Sequence, residues 1–275
     1  MSGAAPFVTS PALAAKLVDI DAQRLAIDEA RTRRADLWPL VLQKLKLHWT
    51  ADSNAIEGST LSFAETKFFI EQGLTVEGKP LKDFLDAKNH WEAIDLLFDV
   101  VAAKRPITPG LLKELNALIL RGVDVTVALG AQARPVEKPA TPGQFKLQPN
   151  HVLQPDGTIH RYVEPVHVAA EIDALCASIE APATKIHPVI AAALAHYEFV
   201  RIHPFDDGNG RGARILMNLM LLRHGYPPAV VPLKWRRQYY DSLASADQGH
   251  MEPFVQFIVA CVHETLATLL SDLEA

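Results

Sequence analysis

HPFDDGNGRGAR, residues 203–214, is the stretch that decides how this chain reads. Ahead of it an apolar run over 189–202 has helical length, and Pro204 disfavours helical geometry at His203. A helix therefore ends there and presents the imidazole at a loop. Asp206, Asp207, Gly208, Asn209 and Gly210 follow. Glycines tolerate positive φ and let the backbone approach closely, so successive amide N–H groups there can form a concave nest for an anion. A second helix begins near Arg211 and runs to Gly225, the expected residue just past its end, with Pro227 and Pro228 blocking continuation. Arg211 and Arg214 share a face of its first turn, where the helix macrodipole disfavours positive charge, and a bound anion resolves that conflict. Two arginines, free N–H groups and a positive helix end suit a polyphosphate, while Asp207 or Asp206 suits a hard cation such as Mg²⁺. His203 is left as the proton acceptor.

Taken singly these features are weak, since His187-Pro188 occurs nearby and DG or NG dipeptides mark ordinary turns. Together they match the signature of Fic proteins, HPFx(D/E)GNGRxxR, at His203, Pro204, Phe205, Asp207, Gly208, Asn209, Gly210, Arg211 and Arg214. At about one residue in twenty per position, nine matches arise by chance once in on the order of 10^11 to 10^12 windows. The resemblance implies an all-α, mainly helical Fic fold with a small β-hairpin flap. It also implies transfer of AMP from ATP to a Ser, Thr or Tyr hydroxyl of a target protein, with pyrophosphate leaving. In that pattern His203 is the base and Asp207 binds Mg²⁺ on the α and β phosphates. Phe205 anchors the loop in the core. Gly208, Asn209 and Gly210 form the anion hole, Arg211 contacts the β-phosphate region and Arg214 holds the γ-phosphate.

Upstream, in HWTADSNAIEGSTLSFAET, residues Ser53, Glu57 and Gly58 match the (S/T)xxxE(G/N) motif of the inhibitory helix of autoinhibited Fic proteins. The same residues also read as an ordinary helix end at Gly58, followed by a capping box of Ser62 and Glu65. The resemblance implies that Glu57 pairs with Arg214, in cis or across an oligomer contact, and misplaces the γ-phosphate. A carboxylate there removes the phosphate's partner and sets negative charge where polyphosphate must sit. From Pro142 onward, PGQFKLQPNHVLQPDGTIHRYVEPVHVAAEI is similar to the segment carrying the family's flap. Asp156-Gly157 is the favoured two-residue hairpin turn. The flap is expected to dock the target by strand addition. One departure from the family's GxYR is that Phe145 is followed by Lys146.

Outward from these motifs, helical patterning recurs over 12–34, 38–55, 62–72, 84–101, 109–120 and 166–179. The most loop-like stretch is 135–149, rich in Pro and Gly. The resemblance covers roughly 81–257. It divides the chain into an N-terminal helical region, 1–105, holding the inhibitory helix at about 48–58, and a Fic core, 106–275, with the flap at about 145–163. Tyr239 and Tyr240 read as core packing, with a nucleotide-base contact as the alternative.

The chain has 275 residues, 49% of them hydrophobic, and a net charge of −5 with 27 Lys and Arg dispersed along it, so no nucleic-acid partner is expected. No DNA-binding winged helix is expected after the last motif. Cys176 and Cys261 form no metal or redox spacing and read as core residues of a reducing compartment. The N-terminus lacks the pattern of a signal peptide and no apolar run is expected to span a membrane, so cytoplasmic residence and no membrane partner are the expectation. The expected partners are ATP, a target protein at the flap, the chain itself through self-modification, and a further copy in a homo-oligomer. Alternatives keep the fold with another donor or with removal of AMP, or make it a nucleotide-sensing interaction module without chemistry.

Overall fold

Three helix starts are set by side chains that accept from the backbone three residues on. Ser10, Ser62 and Thr108 do so for Leu13, Glu65 and Leu111, opening α1 (Pro11–Arg33), α3 (Phe63–Gln72) and α5 (Pro109–Ile119). Ser62 and Glu65 complete the expected capping box, Glu65 accepting from the Ser62 N–H at 2.7 Å. The remaining helices are α2 (Trp38–Ile56), α4 (Leu81–Ala102), α6 (Pro165–Glu180), α7 (Pro188–Ile202), α8 (Asn209–Arg223), α9 (Arg236–Asp247) and α10 (Glu252–Glu274). The computed structural model describes residues 7–129, 135–153, 157–181 and 186–274, and among these the architecture is all-α with small hairpins, as expected.

The motif helix α8 is apolar on nearly every side, with Ile215, Leu216, Met217, Leu219, Met220 and Leu221 all buried, so it can only be the centre of the molecule. Helix α7 packs along it, with α4, α5 and α2 on its other flanks. Gly225 ends α8 in the left-handed region at φ 76°, with Tyr226 N–H donating to Leu221 O and Gly225 N–H to Leu222 O, a Schellman motif. Helix α2 ends in the same way: Gly58 has φ 98°, Ser59 N–H donates to Asn54 O and Gly58 N–H to Ala55 O. One contiguous core joins α1 and α10 to α7 and α8, and includes both cysteines, which are free and buried.

The structure corrects four local expectations. Helices α9 and α10 were not among the runs with clear helical patterning. The 23-residue α10, with a mean hydropathy of 1.5 over its best window, is long and apolar enough to cross a bilayer, against the expectation that no run would be. Its Phe254, Val255, Ile258, Cys261, Val262, Leu266 and Leu269 are instead buried in the core. The loop-like stretch 135–149 begins as a strand: β2 (Pro135–Pro139) pairs antiparallel with β1 (Val125–Leu129).

The flap hairpin exists as β3 (Val152–Leu153) and β4 (Ile159–His160), but Leu153 lies opposite Ile159. A two-residue turn at 156–157 would place His160 there, so the register differs by one residue. Asp156 lies outside the described residues.

Candidate active site

Two helix ends face each other across residues 203–208. Helix α7 stops at His203, whose φ of 51° and ψ of 60° are left-handed, with its N–H donating to Phe199 O at 2.9 Å. Helix α8 starts behind Gly208, also left-handed at φ 78°. The loop between them is fastened from three directions. Asn209 accepts from Phe205 N–H at 2.9 Å and donates to Phe205 O at 2.8 Å. Asn116 of α5 donates to Asp207 O at 2.9 Å and accepts from Gly143 N–H, while Asn150 donates to Phe205 O at 2.7 Å. Lys146 N–H donates to Pro204 O, and Phe145 bridges Phe205 in antiparallel fashion. Phe205 is buried against Phe199 and Phe145. Thus Asn209, expected in the anion hole, spends its side chain closing the loop and leaves only its backbone to an anion.

The arginines are not free. Arg211, 2% exposed, donates to Asp86 Oδ1 of α4 at 2.5 Å, while its other terminal nitrogen stands 3.8 Å from Asp207. Asp86 also holds Lys82. Arg214, likewise 2% exposed, lies in the second turn of α8, one turn later than expected. It donates to Glu57 Oε1 at 2.7 Å, to Ser53 Oγ at 3.0 Å and to Ser53 O at 2.9 Å. Both motifs of the sequence therefore meet, and they meet within one chain. Burial works against the Arg214 charge, but the Glu57 carboxylate outweighs it and its pKa is raised. Arg211 in the first turn and Arg214 in the second are each paired with a carboxylate of the protein itself, Asp86 and Glu57. A methyl group on Gly210 would lie 2.3 Å from Glu57 Oε1 and 3.3 Å from Arg214 Nη1. The Glu57 carboxylate thus rides directly over a glycine of the first turn of α8, where the backbone was expected to receive phosphate. Arg214 Nη1 is buried without a hydrogen-bond partner among the described residues.

Behind the arginines the wall is aromatic and buried. Arg214 lies 5.9 Å from the Tyr239 ring centroid, and the Tyr239 hydroxyl and His196 Nε2 are 3.0 Å apart. Tyr239 is buried, as core packing requires, and burial raises its pKa. Tyr240 is 40% exposed, 4.9 Å from the Arg236 guanidinium, whose Nε donates to Ile56 O at the end of α2.

Across the loop, His203 is half-buried beneath Tyr162, the rings stacked with centroids 3.7 Å apart and 15° between planes. Burial lowers its pKa to about 3, the nearby Lys146 ammonium and His160 add to this, and the Val200 carbonyl partly offsets it. A neutral imidazole is what a proton acceptor needs. Lys146, which stands where the family pattern has Arg, is 1% exposed, donates to Asn150 Oδ1 at 2.7 Å, and has its pKa lowered to about 8 by burial.

The two aspartates divide. Asp206 is held by Lys138 of β2 at 2.5 Å and by the Thr141 hydroxyl at 2.7 Å. Asp207 Oδ1 accepts from Gly208 N–H, and its side chain is 32% exposed. Among the described residues no group of three or more His, Cys, Asp or Glu could by itself hold a metal ion. One part-exposed carboxylate suits Mg²⁺, which takes one or two protein carboxylates and completes its shell with phosphate and water. Asp86, Asn116, Asn150 and Tyr162 escaped the sequence reading. The site residues they meet are distant in sequence, and the near pairing of Asp86, four residues after Lys82, reads as an ordinary helix-surface salt bridge.

Comparisons with known proteins agree on this neighbourhood. The Fic/DOC family matches residues 106–221. The chain is 32% identical over 259 residues to Protein adenylyltransferase Fic of Drosophila grimshawi, covering 91% of this chain and 48% of that protein. It is 34% identical over 229 residues to the protein of the same name from Drosophila melanogaster, covering 78% and 40%. It therefore spans less than half the length of these curated relatives. A Fic domain containing signaling protein from Bacteroides thetaiotaomicron VPI-5482 superimposes with a TM-score of 0.80 at 28% identity, covering 94% of this chain and 97% of that one. Fic-1 (aa134–508) from C. elegans does so with a TM-score of 0.75 at 25% identity, covering 94% and 72%. With the signature, the fold and the family match converging on the loop between α7 and α8, residues 106–221 of this chain form a domain of the Fic/DOC family.

Proposed function

We propose that this protein transfers AMP from ATP to a Ser, Thr or Tyr hydroxyl of a protein, and that Glu57 restrains it. The observation that carries the reading is the Glu57 carboxylate seated on Gly210 and paired with Arg214, in reach of the loop that presents a neutral His203. An anion already occupies the cradle, and a triphosphate would take its place. With Glu57 displaced, Arg214 would receive the γ-phosphate, and the amides at the start of α8 the phosphates nearer the α position. Arg211 keeps Asp86 and offers its other nitrogen toward Asp207 and the β-phosphate. The target hydroxyl attacks the α-phosphorus, the bond to pyrophosphate breaks, and His203 takes the hydroxyl proton. Asp207 would hold Mg²⁺, which when bound neutralises phosphate charge.

The reading includes docking of the target by strand addition at β3–β4, self-modification, and cytoplasmic residence. It is tested by incubating wild-type, Glu57→Gly and Glu57→Gly/His203→Ala proteins with Mg²⁺ and ATP labelled at the α or the γ position. We expect α-label only, strongest in Glu57→Gly, with general-base loss lowering it about 10²–10⁴-fold in the double variant. Label from γ would mean phosphate transfer and overturn the reading. Label from neither would move it to another donor, to AMP removal, or to nucleotide sensing without chemistry.

A further inference from the structure

Among the described residues the base of this site has no acidic partner to orient it. Where a histidine acts on a hydroxyl, a third group ordinarily fixes the imidazole plane, commonly a carboxylate bonded to the far ring nitrogen. Among the described residues no Asp or Glu pairs with His203; the groups facing it are the Lys146 ammonium and the His160 ring. Its backbone is held, through Phe199 O, in a left-handed conformation that costs a non-glycine residue about 1–2 kcal/mol. That fixes where the Cα–Cβ bond points, while the ring torsion beyond it is broad and soft. What lies flat on the ring is Tyr162, at 3.7 Å between centroids and 15° between planes.

Tyr162 is itself well held. It follows β4 by two residues, its N–H donates to His151 Nδ1 at 3.4 Å, and His160 packs edge-on to its ring at 4.6 Å. The Lys146 ammonium lies 5.8 Å from the ring centroid on an arm fastened to Asn150. The side chain is half-buried, and among the described residues no hydrogen bond of its hydroxyl accounts for that burial as a polar anchor. Its pKa is raised to about 12 by burial, with Asp247, Tyr240 and Glu57 adding to it.

We propose that Tyr162 is a positioning residue for His203: its ring, carried at the base of the flap hairpin, sets the plane in which the imidazole meets the target hydroxyl. This rests on the reading of His203 as the base. It has a consequence for the order of events, because the element expected to receive the target strand is also the one that aligns the base. A target seated on β3–β4 therefore bears directly on catalytic geometry.

The test uses the full chain in the Glu57→Gly background, with Tyr162→Phe and Tyr162→Leu. Phenylalanine keeps the stacked face; leucine keeps apolar volume and loses it. For α-labelled self-transfer we expect Tyr162→Phe to stay within about threefold. Tyr162→Leu should lose about 10- to 100-fold in kcat, the range expected when a reacting group is misaligned by an ångström, with KM for ATP unchanged. Loss in KM alone, or equal rates in the Phe and Leu proteins, would overturn the proposal.

A second readout stands apart from activity, so that failure of AMP transfer and failure of this inference are told apart. In nucleotide-free protein the His203 ring protons should carry the upfield displacement of a proton above an aromatic face, kept in Tyr162→Phe and lost in Tyr162→Leu. A wild-type His203 resonance without that displacement would sink the inference with no variant needed, even were the leucine flap to unfold.

Discussion

Arg211 and Arg214 show what the sequence could and could not disclose at the scale of a residue. Their presence three apart at a helix start is plain in the signature, but their partners lie 125 and 157 positions away. Glu57 was legible because its short motif had meaning beside the larger one. Asp86 was not, since an aspartate four residues after a lysine reads as a solvated pair. Its burial is visible only once α4 is laid against α8. The two pairs also differ in kind. Glu57 is one-third exposed and can swing away, while Asp86 and Arg211 are both below a tenth exposed. Asp86→Ala would strand the Arg211 guanidinium in the core, so we expect a loss of about 3–5 kcal/mol in denaturant unfolding, the cost of breaking a buried pair from one side. Glu57→Gly should cost far less and act on nucleotide binding instead. A melting curve for Asp86→Ala that overlays wild type would show that Lys82 and solvent reach Arg211 after all.

Helix ends were the most legible elements, because caps are local chemistry. The Ser62 and Glu65 box, the stops at Gly58 and Gly225, and the break at His203-Pro204 all stand as read. Strands were the least legible. The β1–β2 pair hides in a stretch whose prolines read as loop, and its partner contact, Lys138 to Asp206, spans 68 residues. The flap's register escaped because turn residues fix a hairpin only when the two-residue turn is the one used. Helix α10 was missed although it keeps an exposed stripe, with His263, Thr268 and Ser271 turned away from the core.

The α2 stop allows a clean test at this scale. At Gly58 a methyl group would meet nothing within 4 Å, yet φ is 98°. Gly58→Ala therefore suffers backbone strain alone, about 1–2 kcal/mol. We expect a fall of a few degrees in Tm and faster amide exchange at Ser59, whose N–H closes the motif on Asn54 O. Because Glu57 is the capping residue there, weaker retention of its carboxylate on Arg214 should appear as tighter ATP binding than wild type. Unchanged exchange at Ser59 would mean that the end of α2 is held elsewhere, with the Arg236 bond to Ile56 O the first candidate.

At the scale of the whole molecule, the site's cations are set into the core, and histidines there carry a pH dependence that no motif announced. His90 and His196 are both 0% exposed, and their pKa values are lowered to about 3, by burial first and then by Arg214, with Arg211 adding at His90. In the unfolded chain each takes a proton near pH 6.5. A base whose folded pKa is depressed leaves the folded state at full stability above the unfolded pKa and weakens it as pH falls, since the unfolded chain then binds protons the fold excludes. Two such groups give up to about 2.7 kcal/mol per pH unit between roughly pH 6 and 4, twice the 1.36 kcal/mol of one site. His90 is the better one to change. Both its ring nitrogens are buried without hydrogen-bond partners among the described residues, and Trp49 packs edge-on to it at 6.0 Å. An apolar side chain of similar size forfeits no hydrogen bond there. We expect His90→Leu to lie within about 1.5 kcal/mol of wild type at pH 7, in line with volume-conserving core exchange. Between pH 7 and pH 5 it should gain about 2 kcal/mol relative to wild type, one site over about 1.5 pH units. Denaturant midpoints at the two pH values decide this. If both proteins lose the same stability between pH 7 and pH 5, His90 does not stay neutral beside the arginines, and the acid sensitivity must come from the carboxylates that pair with them.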